Sequence, residues 1–252
     1  MKIGAQLYTV REKATTLEGF ADVLARVAEI GYTAVQVSGT CAYEPAWLAE
    51  QLKKNGLSCV LTHTSADRIR DEAAAVATEH KIFGCRYVGV GCMPGGANAE
   101  NTEKYIEGFL PAAKLLKENG CKLFYHNHHW EFSRLADGKL ILDRLLEAFP
   151  AELMSITLDT YWAQYSGADP AAVISRLAGR AECIHLKDMT IVGNDQRMAP
   201  VGAGNMNFDR ILSAAEAVGC ENLLVEQDNS YEEDPLVCLK KSYDYLRSMG
   251  LK

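Results

Sequence analysis

The stretch "YHNHHWEF" (125–132) places three histidines, an asparagine and a glutamate directly behind the apolar run "CKLF". Imidazoles and carboxylates bind divalent metals through nitrogen and oxygen, and they move protons near neutral pH. The same kind of group closes three later apolar runs: Asp159 in "SITLD", His185 in "CIHLK" and Glu226 in "NLLVEQ". A glutamate there is seldom unpaired, because a buried carboxylate needs a cation or hydrogen-bond donors. Taken singly, Asp159 would also suit a helix N-cap and His185 a satisfied core histidine. With His126 they make a nitrogen and oxygen donor set without thiolate. Such a set suits one divalent metal ion: Mn²⁺, Co²⁺, Mg²⁺, Zn²⁺ or Fe²⁺.

Other residues fall around this set. If 121–127 is a strand, its period of two puts His126 and His128 on one side and Asn127 on the other. His126 lies deeper and is the expected ligand. His129, beside Trp130, is expected in a solvent-facing or lid position, and Glu131 is a further ligand or proton carrier if the chain turns inward early. Lys187 follows His185 by two residues and so shares its face. It could polarise a carbonyl or hold a phosphate, or simply pair with Asp188 or a neighbouring carboxylate. The loop "PVGAGNMNF" (200–208) offers backbone amides to an anion or to ligand hydroxyls, unless its glycines only serve tight turns.

These residues need a scaffold that gathers the ends of separate strands. Eight short runs, mostly apolar on both faces, read as buried parallel strands: 2–8, 34–39, 58–63, 85–91, 121–127, 155–159, 183–187 and 222–227. Amphipathic stretches lie between them. Leu17, Phe20, Leu24, Val27 and Ile30 recur at helical spacing before Gly31, and similar stretches stop at Gly120 and Gly219. Asp169 and Pro170 read as an N-cap and first helical residue. Pro111 falls inside the fourth helical stretch, where a kink or broken start is expected. Eight strand–helix units in 252 residues, with no linker-like segment, predict one (β/α)8 TIM barrel spanning 1–252. No G-x-G-x-x-G or P-loop motif supports an open nucleotide-binding sheet instead. In such barrels chemistry sits at the C-terminal strand ends, which is where Gln6, Gln36, His63, His126, Asp159, His185 and Glu226 fall.

Composition narrows the partners. A net charge of −7 with scattered lysines and arginines excludes a general nucleic-acid or anionic-membrane binder. "MKIGAQLYTVRE" lacks the features of a signal peptide, and no run of about 18 apolar residues occurs. The eight cysteines never form C-x-x-C and mostly sit in apolar runs, as buried free thiols would. The expectation is a cytoplasmic protein acting on a small molecule. A homo-oligomer is compatible with this.

The ordered motifs "YHNHHWEF", "LDTYWAQYSGADP", "IHLKDM", "PVGAGNMNF" and "VEQD" resemble the xylose isomerase-like TIM-barrel superfamily, in particular its sugar phosphate isomerase/epimerase branch. The resemblance covers essentially the whole chain. It implies a carbohydrate substrate and a single metal held by Glu, Asp, His and Glu from the fifth to eighth strands. Asp159, His185 and Glu226 match the last three, and His126 stands where the first Glu belongs. Trp162 replaces a substrate-contacting His of the epimerases, and Ala203 a Glu of the glycine loop. The metal set is kept, while a two-glutamate proton shuttle is not matched.

The expected activity is a metal-dependent isomerase or epimerase of a sugar, keto-sugar or polyol derivative, working by α-proton abstraction and a stabilised enediolate. Glu226 is the expected base, with His128, Glu131 or Lys187 returning the proton. Gln6 and His63 would hold substrate hydroxyls, and Trp130 and Trp162 would wall the ring. A dehydratase of the inosose or keto-glycoside type is the first alternative, since one base then suffices. A non-catalytic sugar-binding barrel is the second.

Overall fold

The computed structural model describes residues 1–251. Ten strands form: β1 (Lys2–Gln6), β2 (Ala34–Val37), β3 (Ser58–His63), β4 (Tyr87–Val90), β5 (Lys122–His126), β6 (Met154–Asp159), β7 (Cys183–Leu186), β8 (Asp188–Val192), β9 (Asp195–Ala199) and β10 (Asn222–Val225). Eight of them close a parallel barrel in the order β1-β10-β7-β6-β5-β4-β3-β2. Helices cross over between the barrel strands: α1 (Leu17–Ile30), α2 (Pro45–Lys54), α3 (Ala66–Ile82), α4 (Ala99–Glu118), α5 (Ile141–Ala148), α6 (Thr160–Tyr165), α7 (Pro170–Arg176), α8 (Phe208–Ala217) and α9 (Pro235–Ser248). The protein is a (β/α)8 barrel.

Helix limits follow local chemistry. Thr16 caps α1 through Gly19 N–H, and Gly31 ends it at φ +119°, a conformation that Cβ-bearing residues avoid. Asp169 caps α7 through Ala171 N–H, with Pro170 at its first turn. Pro111 gives no broken start. α4 begins at Ala99, capped by Asn98, and runs on past Pro111 to Glu118. Its buried side chains Tyr105, Phe109, Ala112, Ala113 and Leu116 hold it to the barrel, outweighing the one missing donor.

The strands bury both faces, which separates two apolar layers. The larger lies between strands and helices. The smaller is a plug inside the barrel: Leu61, Tyr87, Phe124, Cys183 and Leu224. Four plug residues stand two positions before His63, His126, His185 and Glu226. Because side chains on one face recur every second residue, each of these four strands fills the floor and also presents a polar group above it.

One element was not expected. Strand β7 is followed by the antiparallel hairpin β8–β9, which pairs Asp188 with Ala199 and Val192 with Asp195 around Gly193-Asn194. No described helix is long and apolar enough to cross a membrane. All eight cysteines are free, six of them buried; Cys41 is half-buried and Cys92 exposed.

Candidate metal centre and active site

Register brings the donors together. Asp159 on β6 is paired with His185 on β7, so both side chains face the barrel interior. His126 closes β5, and Glu226 follows β10 with its N–H on Leu186 O at 3.1 Å. One donor atom from each of His126, Asp159, His185 and Glu226 lies within 4.8 Å of the other three, and all four residues are buried.

The imidazoles are oriented for a cation. His126 Nδ1 is 2.9 Å from Gly91 O, and His185 Nε2 is 2.6 Å from Gln36 Oε1. Both partners are acceptors, so these nitrogens carry the hydrogens and the inward nitrogens keep their lone pairs. His126 Nε2 then faces Asp159 Oδ2 at 3.3 Å, and His185 Nδ1 faces Glu226 Oε2 at 2.9 Å. His185 Nδ1 and Glu226 Oε2 make no hydrogen bond of good geometry, the ammonium of Lys187 standing 3.0 Å from that oxygen. Lone pairs turned on carboxylate oxygens in a buried site are what a divalent cation would reconcile, so the residues fit a metal with two nitrogen and two oxygen donors.

Lys187 supplies the positive charge. Its Nζ lies 3.0 Å from Asp159 Oδ2, 3.0 Å from Glu226 Oε2 and 2.9 Å from Asp228 Oδ1. Its partners are these barrel carboxylates rather than Asp188. Burial alone would raise the Asp159 pKa, but the Lys187 ammonium holds it below the usual carboxylate range. Glu226 is likewise held well below the usual range by the Lys187 ammonium, against the effect of burial. Asp228 goes the other way, to about 6, because burial and the Glu226 charge outweigh Lys187. Burial, then the charge of His126, lowers His128 to about 3.

Above the donors opens a cavity of about 530 Å³, lined among others by Tyr8, Ser38, His63, His128, Trp130 and Glu226. His63 Nδ1 is 3.0 Å from Ser38 Oγ, and its Nε2 has no partner in the protein. His128 Nδ1 is likewise unpartnered. Trp130, 38% exposed, stacks on His128 at 5.3 Å and walls the cavity.

Three expected positions turn out differently. Gln6 is buried: its Oε1 accepts from Tyr8 N–H at 2.8 Å, and its Nε2 donates to Glu226 Oε1 at 3.0 Å. It positions Glu226 and does not line the cavity. Glu131 lies outside the donor set. Its carboxyl accepts from Tyr125 Oη–H at 2.5 Å and His128 N–H at 2.8 Å, because the 3-10 turn at Trp130–Phe132 carries it behind strand β5. Trp162 packs behind the cavity wall on His128 and His129, its backbone N–H donating to Asp159 Oδ1 at 3.0 Å. His129, expected in a solvent-facing or lid position, is half-buried among Trp130, Trp162 and Tyr165.

The glycine loop is also occupied from within. Asp188 accepts from the N–H groups of Met189 at 2.7 Å, Gly202 at 2.9 Å, Gly204 at 2.9 Å and Met206 at 3.3 Å. Of the two roles open to this loop, ligand binding or tight turns, its amides at Gly202, Gly204 and Met206 serve the fold, by holding this carboxylate. Sequence alone did not reveal two partners of the centre, Gln36 as the acceptor for His185 and Asp228 as the outer partner of Lys187. Asp228 stands two residues after Glu226, a spacing that could have signalled it.

The family model described as xylose isomerase-like TIM barrel matches residues 24–249. The chain belongs to the xylose isomerase-like TIM-barrel family. Among curated proteins, this xylose isomerase-like chain is similar to the inosose dehydratase of Geobacillus kaustophilus (strain HTA426), with 28% identity over 192 residues, 66% of this chain and 61% of the relative. The chain thus spans less than two thirds of that relative's length. The inosose dehydratase of Clostridium beijerinckii is 28% identical over 36% of this chain and 30% of its own. Solved members share the architecture. A sugar phosphate isomerase/epimerase from Parabacteroides distasonis superposes with a TM-score of 0.82 at 22% identity, covering 98% of this chain and 93% of its own. An L-ribulose 3-epimerase gives 0.75 at 16%, covering 100% and 95%. At these identities the structural likeness shows the fold.

Proposed function

We propose that this xylose isomerase-like protein is a metal-dependent lyase that dehydrates a keto-sugar or keto-polyol next to its ketone. The observation that carries the reading is the placement of Glu226: within the donor set it is the one carboxylate that lines the cavity. A proton and a hydroxyl that leave from one face need only one acid–base group. The curated relatives' name, inosose dehydratase, supports the same chemistry.

His126, Asp159, His185 and Glu226 would hold the divalent ion, which when bound supplies positive charge to the oxygen where enolate charge collects. The remaining steps belong to the chain. Glu226, deprotonated at neutral pH under the charge of Lys187, accepts the α-proton. The C–H electron pair becomes the enolate. As the carbonyl reforms, the C–O bond of the β-hydroxyl breaks, and the Glu226 carboxyl returns its proton to that oxygen. Water leaves and an enone remains. Gln6 Nε2 keeps the Glu226 carboxyl aimed throughout. Ser38, His63 and His128 offer hydroxyl partners around the ring, and Trp130 an apolar wall.

A second reading, isomerase or epimerase, returns the proton to carbon instead. It is favoured by the unpartnered His128 Nδ1 at the cavity. The test is incubation of metal-reconstituted protein with ketoses, keto-inositols and 3-keto-glycosides in D₂O. Water loss with a new enone absorbance is expected. Deuterium on carbon in a recovered or isomerised ketose, without water loss, would establish the second reading. No exchange with any substrate would overturn both and leave a sugar-binding barrel.

A further inference from the structure

We infer that Lys187 is a resident cation of the metal centre, anchored from outside by Asp228, and that this pair sets the charge the site accepts; the inference rests on the metal reading above. The Lys187 side chain is 1% exposed, yet it reaches three carboxylates. Asp159 and Glu226, at 0% and 3% exposure, have no other lysine or arginine partner among the described residues. Their remaining neighbours are uncharged donors: Trp162 N–H on Asp159 Oδ1 and Gln6 Nε2 on Glu226 Oε1. Without Lys187, two buried carboxylates would face the lone pairs of His126 and His185. Uncompensated buried charge is among the most destabilising arrangements a fold can contain.

Asp228 differs from the inner pair. Its side chain is 26% exposed, and both of its oxygens lie on Lys187 Nζ, at 2.9 and 3.0 Å. It gives the ammonium a partner that is no member of the donor set, so Lys187 remains paired if a metal takes up the charge of Asp159 and Glu226. With neutral imidazoles, three carboxylates against one ammonium leave two negative charges, which one divalent ion balances. Lys187 thus keeps the site formed before metal arrives and opposes the metal once it comes. Asp228 favours the metal without being a ligand.

The two halves of this ion pair should therefore act with opposite sign. Lys187→Met and Asp228→Asn are compared with wild type after chelator treatment, by calorimetric titration with Mn²⁺ and by thermal melting. Removing a unit charge a few ångströms from the bound ion is expected to tighten Mn²⁺ binding about ten-fold in Lys187→Met; removing the Asp228 charge should weaken it by a similar factor. Metal-free Lys187→Met should melt below wild type, and saturating Mn²⁺ should close the gap. A lysine that is only a strut would lower the melting temperature and leave affinity equal or weaker. Unchanged or weakened affinity in Lys187→Met overturns the inference. If Lys187→Met does not fold without metal, Lys187→Gln, which keeps hydrogen-bond donors but no charge, takes its place, and tighter or weaker Mn²⁺ binding decides in the same way. Wild type that takes up no Mn²⁺ would instead bring down the metal reading itself.

Discussion

Gln36 Oε1 and His185 Nε2 meet at 2.6 Å across the barrel interior, between strands that are not neighbours in the sheet. This contact fixes the imidazole tautomer and turns Nδ1 toward Asp159 and Glu226. Gln36→Leu removes the acceptor at a fully buried position. Metal affinity is expected to fall about 10- to 100-fold, the scale for losing an outer partner of a ligating histidine. Gln36→Glu, which still accepts, should lose less. Titration calorimetry decides it, and equal affinity in wild type and Gln36→Leu would show that the contact does not orient a ligand.

Glu226→Gln keeps shape and one oxygen donor but removes the basic carboxylate. With metal in excess, substrate should still bind while α-proton exchange slows at least ~100-fold, the usual scale for one positioned acid–base group. NMR in D₂O measures it. Exchange at the wild-type rate would assign the proton transfer to another cavity residue, with His128 the first candidate.

Tyr125→Phe isolates the structural carboxyl. Glu131 is fully buried, and loss of the Tyr125 hydroxyl leaves one of its oxygens without a donor. A cost of about 1–3 kcal/mol in urea unfolding is expected, with metal affinity unchanged. A drop in metal affinity of ten-fold or more would return Glu131 to the centre.

His80 provides a pH-dependent contribution to stability away from the site. Its Nδ1 donates to Val76 O at 2.7 Å and its Nε2 meets Thr62 Oγ1 at 2.8 Å, so the neutral ring is satisfied. Burial lowers its pKa below the ordinary 6.5. As pH falls through that value the unfolded chain takes up the proton first, so the stability is complete above it and lost below. Between pH 8 and 5.5 wild type should lose more stability than His80→Gln. Parallel pH profiles for the two proteins would contradict this.

The barrel and its donors were legible because one pattern carries both. A strand buried on two faces must be apolar throughout, so His126, Asp159, His185 and Glu226 stand out at its end. The hairpin was missed although "TIVGNDQ" carries a two-residue Gly-Asn turn signal; it lies where a helix was expected to follow directly. Glu131 and Trp162 were misplaced because both follow their strands in helical turns, where the period of two no longer applies. Gln6 and Gln36 showed their polarity but not their partners, since a contact across a barrel has no sequence spacing. Lys187 shares a face with His185, as the spacing predicts, but its bond to Asp228 spans 41 positions.

The Asp188 cradle bears on how the protein moves. A Cβ at position 204 would lie 2.4 Å from Asp188 Oδ1, so the loop is closed tightly on this carboxylate. The amide hydrogens of Gly202, Gly204 and Met206 are committed to the chain before any substrate arrives. Their exchange with solvent should therefore be slow and should keep the same rate with and without ligand. This loop is a fixed part of the fold, and ligand-dependent protection belongs to the aromatic rim of the cavity at Trp130.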